Sequence, residues 1–272
     1  MLPDCQELRL NQQSGVLHIT LNRPQKRNAM NARLVEEMMA VFTAIESDRS
    51  VRAVVLRGAE GNFCAGGDIS GMNDQKTDDK GEPISAEQAA WNFNRSFGHM
   101  ITKVNHAPQV VICVLEGAVL GGGFGLACIS DIAIADIGAT FAMPETGLGI
   151  IPAQIAPFVV MRVGLTQARR LALTGERIKG EAAQAMGLVH FVCEGSEALD
   201  SQLAAVIAGV KRCAPDANAQ TKALMFQVGN RELESLLDNA SDMFSVALNG
   251  PEGQEGTRAF IEKRKPQWAL TE

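Results

Sequence analysis

Two glycine-rich segments and one acid in an apolar run carry the strongest chemical signals in this chain. Residues 63–69 (FCAGGDI) follow the apolar run 51–57, and residues 117–125 (GAVLGGGFG) follow the run 110–115. Small residues at such points let a ligand approach main-chain groups. Two peptide N–H groups converging from two such turns would form an oxyanion hole, fixed dipoles aimed at a carbonyl oxygen that gains charge. The triple glycine Gly121, Gly122 and Gly123 also opens a helix, whose dipole favours negative charge at that end. Either segment alone reads as a tight turn; the pair, at successive strand ends, points to function. Glu145 stands among apolar residues in 141–149 (FAMPETGLG). A dry setting there would raise its pKa toward the range useful for proton transfer, while a helix cap or an ion pair is an equal alternative.

Other chemistries fail on their residues. A dinucleotide fingerprint needs glycine where Leu126 stands, and a phosphate loop needs lysine where Glu181 stands. There is no GxSxG, HExxH or CxxC, so a serine elbow and a zinc site are not expected. The cysteines sit in apolar contexts and read as small buried hydrophobes. With no tyrosine in the chain, a phenolic acid or oxyanion donor is excluded. Asp68 and Asp131 read as loop-fixing or helix-end residues, and Glu116 is open between roles. Basic residues cluster at Arg23, Lys26 and Arg27 and again at Lys263, Arg264 and Lys265, where they could grip phosphates or simply be solvated.

The elements that must position these residues alternate. Strands are expected at 16–21, 51–57, 110–115, 132–135 and 140–142, with helices at 32–46, 86–104 and 121–130. A polar stretch at 73–82 is expected to be mobile. Beyond Pro152 the pattern turns helical, at 155–163, 166–174, 180–186, 198–212, 216–227, 232–247 and 252–263, interrupted by a short strand at 188–193. Repeated short strands separated by helices indicate an α/β core with crossovers. The division expected is 1–195 as the core and 196–272 as a helical appendage packed on it.

The 272 residues are 46% apolar and carry 25 basic against 31 acidic side chains, a net charge of −6. That balance argues against a general affinity for nucleic acid or anionic lipid, so a bound anion must meet a local basic patch. The run 117–129 is too short and glycine-rich to span a bilayer. The start MLPDCQELRL lacks a basic, then apolar, leader, which places the expected location in the cytoplasm.

Taken together, LNRPQKRNAMN, FCAGGDI, EGAVLGGGFGLACISDIAIAD, FAMPETGLGIIP and LTGERIKGEAAQAMGLV resemble the crotonase (enoyl-CoA hydratase/isomerase) superfamily in order and spacing. The resemblance runs from about Leu17 to Trp268. It implies an α/β spiral of β-β-α repeats, with a helical carboxy-terminal region that builds homotrimers or hexamers. It further implies that the N–H groups of Gly67 and Gly122 hold a thioester oxygen, with Glu145 as the proton-transfer residue. Ala65, Asp68, Ile69 and Ser70 would line the channel for coenzyme A, which belongs to the substrate and is not a separate cofactor. Lys26 and Arg27 would lie near its nucleotide, and Phe260 and Lys263, in AFIEKRKP, would reach a neighbouring subunit's ligand.

Members of the hydratase pattern carry two glutamates; here the first falls on Gly125. One glutamate suffices chemically if it takes a proton from water and returns it to the α-carbon. GGGFGLAC and FAMPET also resemble the 3-hydroxyisobutyryl-CoA hydrolases, which carry an aspartate where this chain has Ala153. EGAVLGGGFGLAC with PAQIAPFVV and GLTQARRLALT resembles the isohexenylglutaconyl-CoA hydratases of acyclic terpene breakdown. That resemblance implies a branched 3-substituted glutaconyl-CoA, whose free carboxylate would want a cation such as Arg95 or His99. A catalytically weak CoA-binding protein is the reading from another class.

Overall fold

A computed structural model of the chain describes residues 1–71, 77 and 81–270. The stretch 73–82, expected to be mobile, lies largely outside the described residues. The chain opens with a hairpin of β1 (Leu8–Gln13) and β2 (Val16–Leu21), joined by Ser14 and Gly15, both at positive φ. That conformation matches the twist of a two-residue hairpin. No β1 strand is expected from the sequence, because only Leu8 of its six residues is buried and the alternation is lost.

Helix α1 (Ala32–Ile45) starts where the Asn31 side chain accepts from the Leu34 amide, and it buries Leu34, Val35, Met38, Val41, Phe42 and Ile45. It leads into β3 (Ala53–Gly58). After the 63–67 segment and α2 (Ala86–Asn105), capped by Ser85, come β4 (Val110–Leu115), β5 (Ala118–Leu120) and α3 (Gly122–Ile129). Next are β6 (Ile132–Asp136), β7 (Thr140–Ala142) and α4 (Ala156–Thr174). Helix α4 breaks at Gly164, which has φ 74 and ψ 159, so the two expected helices survive as two segments about one kink. Then follow β8 (Ile178–Lys179), α5 (Gly180–Ala185), β9 (Phe191–Cys193), α6 (Ser196–Arg212), α7 (Pro215–Met225), α8 (Leu233–Asn249) and α9 (Pro251–Ile261).

Among the described residues the main sheet has the order β1-β2-β3-β4-β6-β9, parallel except at β1. A second sheet runs β5-β7-β8, and single bridges at Cys64 with Val119 and Met30 with Gly67 extend its layer. The repeat is therefore a strand in the main sheet, a short strand in the second layer, then a helix: β4-β5-α3, then β6-β7-α4. This is the expected β-β-α spiral. The short strands β5 and β8 are absent from the sequence expectation: β5 lies inside the glycine-rich segment 117–125, and β8 has only two residues. The strand expected from 188 begins only at Phe191.

One face of the main sheet packs on α1, α2 and α3; the other is sealed by Leu199, Leu203 and Val210 of α6 against Val16, Val55, Ile112 and Ile134. Between the strands and the site sits Asn28, fully buried, with its amide tying three segments together. Its Oδ1 accepts from the Arg23 N–H at 2.9 Å, and its Nδ2 donates to the carbonyls of Ala59 at 2.9 Å and Asn62 at 2.6 Å. Asn28→Ala strands these buried groups and is expected to cost about 2–4 kcal/mol, read as a lowered denaturation midpoint in chemical unfolding.

Candidate active site

The 63–68 segment runs between isolated bridges at Cys64 and Gly67, and its main-chain hydrogen bonds leave one residue out. Phe63 N–H donates to Glu116 O and Cys64 N–H to Ala118 O, both at 2.8 Å, and Ala65 N–H donates to Arg27 O at 2.9 Å. Asp68 N–H donates to Met30 O at 2.8 Å. Gly67 stands between them, exposed, with no acceptor for its N–H among the described residues. Across from it, Gly121 N–H donates to Ala142 O at 3.0 Å, while Gly122, the first residue of α3, has no acceptor among the described residues either. Open N–H groups are the normal state of a helix start, and they attract negative charge.

Two glycines bring these amides together. A Cβ on Gly66 (φ 102) would lie 3.3 Å from Leu120 O and 3.7 Å from Gly121 Cα; one on Gly121 (φ 50) would lie 2.8 Å from Glu145 Oε1. Both residues adopt a backbone that glycine alone takes readily. Cys64 fixes the turn from beneath: its Sγ accepts from the Gly66 N–H at 3.4 Å, and burial pushes its thiol up to about 12, so it stays protonated.

Glu145 opens the 3₁₀ turn Glu145–Leu148 directly after β7. Its Oε2 is buried and has no hydrogen-bond partner, and burial raises its pKa above the ordinary glutamate range. Among the described residues Glu145 forms no ion pair, and the backbone hydrogen bond to its carboxyl comes from its own residue. Ala65, Gly67, Gly122 and Glu145 line a single cavity whose remaining wall is mostly apolar, including Met30, Phe97, Leu148 and Ile151. Two open amides beside a carboxyl with one unpartnered oxygen can hold an enolate oxygen and move a proton next to it.

The enoyl-CoA hydratase/isomerase family model matches residues 11–270. The chain belongs to this family. It is 34% identical to the short-chain-enoyl-CoA hydratase of Clostridium acetobutylicum over 263 residues, covering 94% of this chain and 95% of that one. It is 30% identical to the 1,2-epoxyphenylacetyl-CoA isomerase of Escherichia coli over 267 residues, covering 94% and 92%. Among solved structures, Pseudomonas aeruginosa AtuE superposes with a TM-score of 0.92 at 53% identity, covering 97% of this chain and 100% of that one.

Within this crotonase-type site the place of a first glutamate is filled by carbon. A Cβ on Gly125 would meet Ile155 Cγ2 at 2.4 Å and Ile101 Cδ1 at 3.1 Å. The expected residues divide. Ile69 joins Ala65 and the two amides in the cavity wall. Lys26 and Arg27 are exposed on the turn whose Arg27 carbonyl holds Ala65. Asp68 does not line the cavity: it pairs with Arg23 at 2.9 Å and binds the Ser70 hydroxyl, because its loop needs fixing. Arg23 is likewise buried and bound to Glu7 and Asp68, so it is unavailable to a phosphate. Phe260, 85% exposed, and Lys263 lie at the end of α9 and do not line this chain's cavity. Arg264 is held by Glu255 and Glu262. Glu116 turns to Arg57 at 2.6 Å, and Asp131 holds the Val111 N–H and Lys222.

Asn94, Phe97 and Gln154 line the cavity without having been expected from the sequence. The signal that marks them is Gly98 inside α2, a position where glycine costs about 1 kcal/mol relative to alanine. Among the described residues no group of three or more His, Cys, Asp or Glu is placed to hold a metal ion.

Two outcomes follow from the packing. Gly125→Glu is expected to destabilise the fold by about 3 kcal/mol or more, by overpacking and by burying a charge, with partial recovery on adding Ile155→Ala; thermal unfolding of both variants checks it. Glu145→Gln is expected to raise the melting temperature at neutral pH. The native state penalises the ionised carboxyl, so the wild type loses stability as pH rises from the ordinary glutamate range through the raised native pKa. The difference between the two proteins should vanish below pH about 4, and melting curves across pH measure it.

Proposed function

We propose that the protein is a hydratase that adds water across the α,β double bond of an acyl-CoA, with a branched, 3-substituted glutaconyl-CoA of the isohexenylglutaconyl type as substrate. The observation that carries this reading is the carboxyl of Glu145, one oxygen of which is buried without a hydrogen-bond partner, beside two open amides in one mostly apolar cavity. Glu145 takes a proton from water as the oxygen bonds to the β-carbon. The electron pair of the double bond moves to the thioester oxygen, which the amides of Gly67 and Gly122 stabilise. The proton then returns from Glu145 to the α-carbon on the same face, so that one water is added and no proton is left over. Loss of one such amide from a comparable site costs about 3–4 kcal/mol, so the amides are the larger contribution.

Thioester hydrolysis is the less supported reading. Ala153 lines the cavity and offers no carboxyl where the hydrolases carry theirs. Exposed apolar residues on α7 to α9, among them Met225, Leu233, Phe244, Phe260 and Ile261, support assembly as a trimer or hexamer. In such an assembly Phe260 and Lys263 would serve a neighbour's site, with Lys26 and Arg27 at the nucleotide of the chain's own ligand.

The test is incubation with a panel of enoyl-CoA esters, branched glutaconyl types included. A product heavier by one water with no free thiol is expected; thiol release would replace hydration by hydrolysis. Glu145→Gln should lower turnover by about 10²- to 10⁴-fold while acyl-CoA still binds. Because the carboxylate is the active form, kcat/KM should fall on acidification with a midpoint above about 4.3.

A further inference from the structure

We propose that Asn94, Gln154 and Arg95 form a polar end wall that selects acyl chains carrying a carboxylate. This rests on the acyl-CoA reading of the cavity. Apart from Glu145, Asn94 and Gln154 supply the only hydrogen-bonding side chains in its wall among the described residues. They are linked in one direction. Arg95 Nη1 donates to Gln154 Oε1 at 3.4 Å, and Gln154 Nε2 donates to Asn94 Oδ1 at 2.8 Å.

With both carbonyl oxygens already accepting, the amide orientations are set, and the Asn94 Nδ2 is left as a donor without an acceptor among the described residues. Behind it, half-buried Arg95 forms no ion pair among the described residues. A cavity-lining amide with an open donor, backed by a cation that forms no ion pair among the described residues, suits an anion that accepts hydrogen bonds. A carboxylate on the acyl chain meets both demands. Arg95 does not line the cavity itself, so it acts as a positioning residue through Gln154.

Gly98 reveals that this arrangement is built. A Cβ there would lie 2.0 Å from Gln154 Oε1 and 2.5 Å from Arg95 Nη1, so any side chain at 98 displaces the contact. The helix carries glycine where the relay passes. His99, the other cation considered for this role, lines a separate cleft that Arg95 and Glu46 also border, and unlike Arg95 it has no hydrogen bond to a residue of the cavity wall among the described residues.

The test uses two saturated, unreactive acyl-CoA thioesters of equal length, one ending in a carboxylate and one in its methyl ester, titrated calorimetrically into the full chain. The wild type is expected to bind the carboxylate at least about tenfold more tightly, since a site built of hydrogen-bonding groups discriminates strongly against an analogue that leaves them unpaired. Arg95→Met, Gln154→Leu and Gly98→Ala should each bring the ratio within about twofold of one, and Arg95→Lys should keep most of it. Methyl-ester binding by each variant reports an intact cavity. A wild-type ratio near one, or a ratio that survives both Arg95→Met and Gln154→Leu, overturns the proposal while leaving the acyl-CoA reading in place. Failure of both thioesters to bind the wild type removes that reading and the proposal with it.

Discussion

The site depends on one close approach of backbone to backbone. Gly66 and Gly121 come near enough that a methyl group on either would press on the other's strand or on Glu145. Everything else in the spiral serves that approach: parallel strands β3 and β4 deliver the two segments side by side, and the second layer, through the bridge of Cys64 with Val119, holds their ends in register. Asn28 and the Arg23–Asp68 pair then clamp the loop that carries Gly67. The donors that result are main-chain groups, which no side-chain rotation can misplace, and such preorganised dipoles stabilise developing charge without reorganising.

The carboxyl at 145 sits in tension with this frame. An ordinary surface glutamate would be solvated; this one has a buried oxygen without a partner and a pKa raised by burial. The fold tolerates the penalty because β7 and the 3₁₀ turn after it are anchored elsewhere, through the Gly121 N–H on Ala142 O and the Thr146 hydroxyl on Ala172 O. In the proposed hydration, the raised pKa would let this carboxyl hold a proton at a pH where an ordinary glutamate has lost it.

Where members of the family with two acids would place the first, this chain has packed Ile155 and Ile101 against Gly125. Apart from Glu145, the polar side chains of the cavity wall are Asn94 and Gln154 among the described residues. The family includes hydratases and isomerases alike, as the relatives from C. acetobutylicum and E. coli show by their names.

Local pattern was enough to read the long elements. Apolar spacing set α1 and the buried strands β3 and β4, the glycine runs and the FAMPET segment marked two turns and Glu145, and the family resemblance singled out Gly67 and Gly122. These signals are short-range: periodicity and turn chemistry are written within a few residues. Strands β5 and β8 were invisible because two or three residues become a strand only when a partner pairs with them. The role of Asp68 as a partner of Arg23, the isoleucine filling beside Gly125 and the contact of Gln154 with Gly98 join positions 45, 30 and 56 residues apart. Nothing local encodes such meetings; they exist because the spiral stacks its turns, and packing then settles which neighbours remain for each side chain.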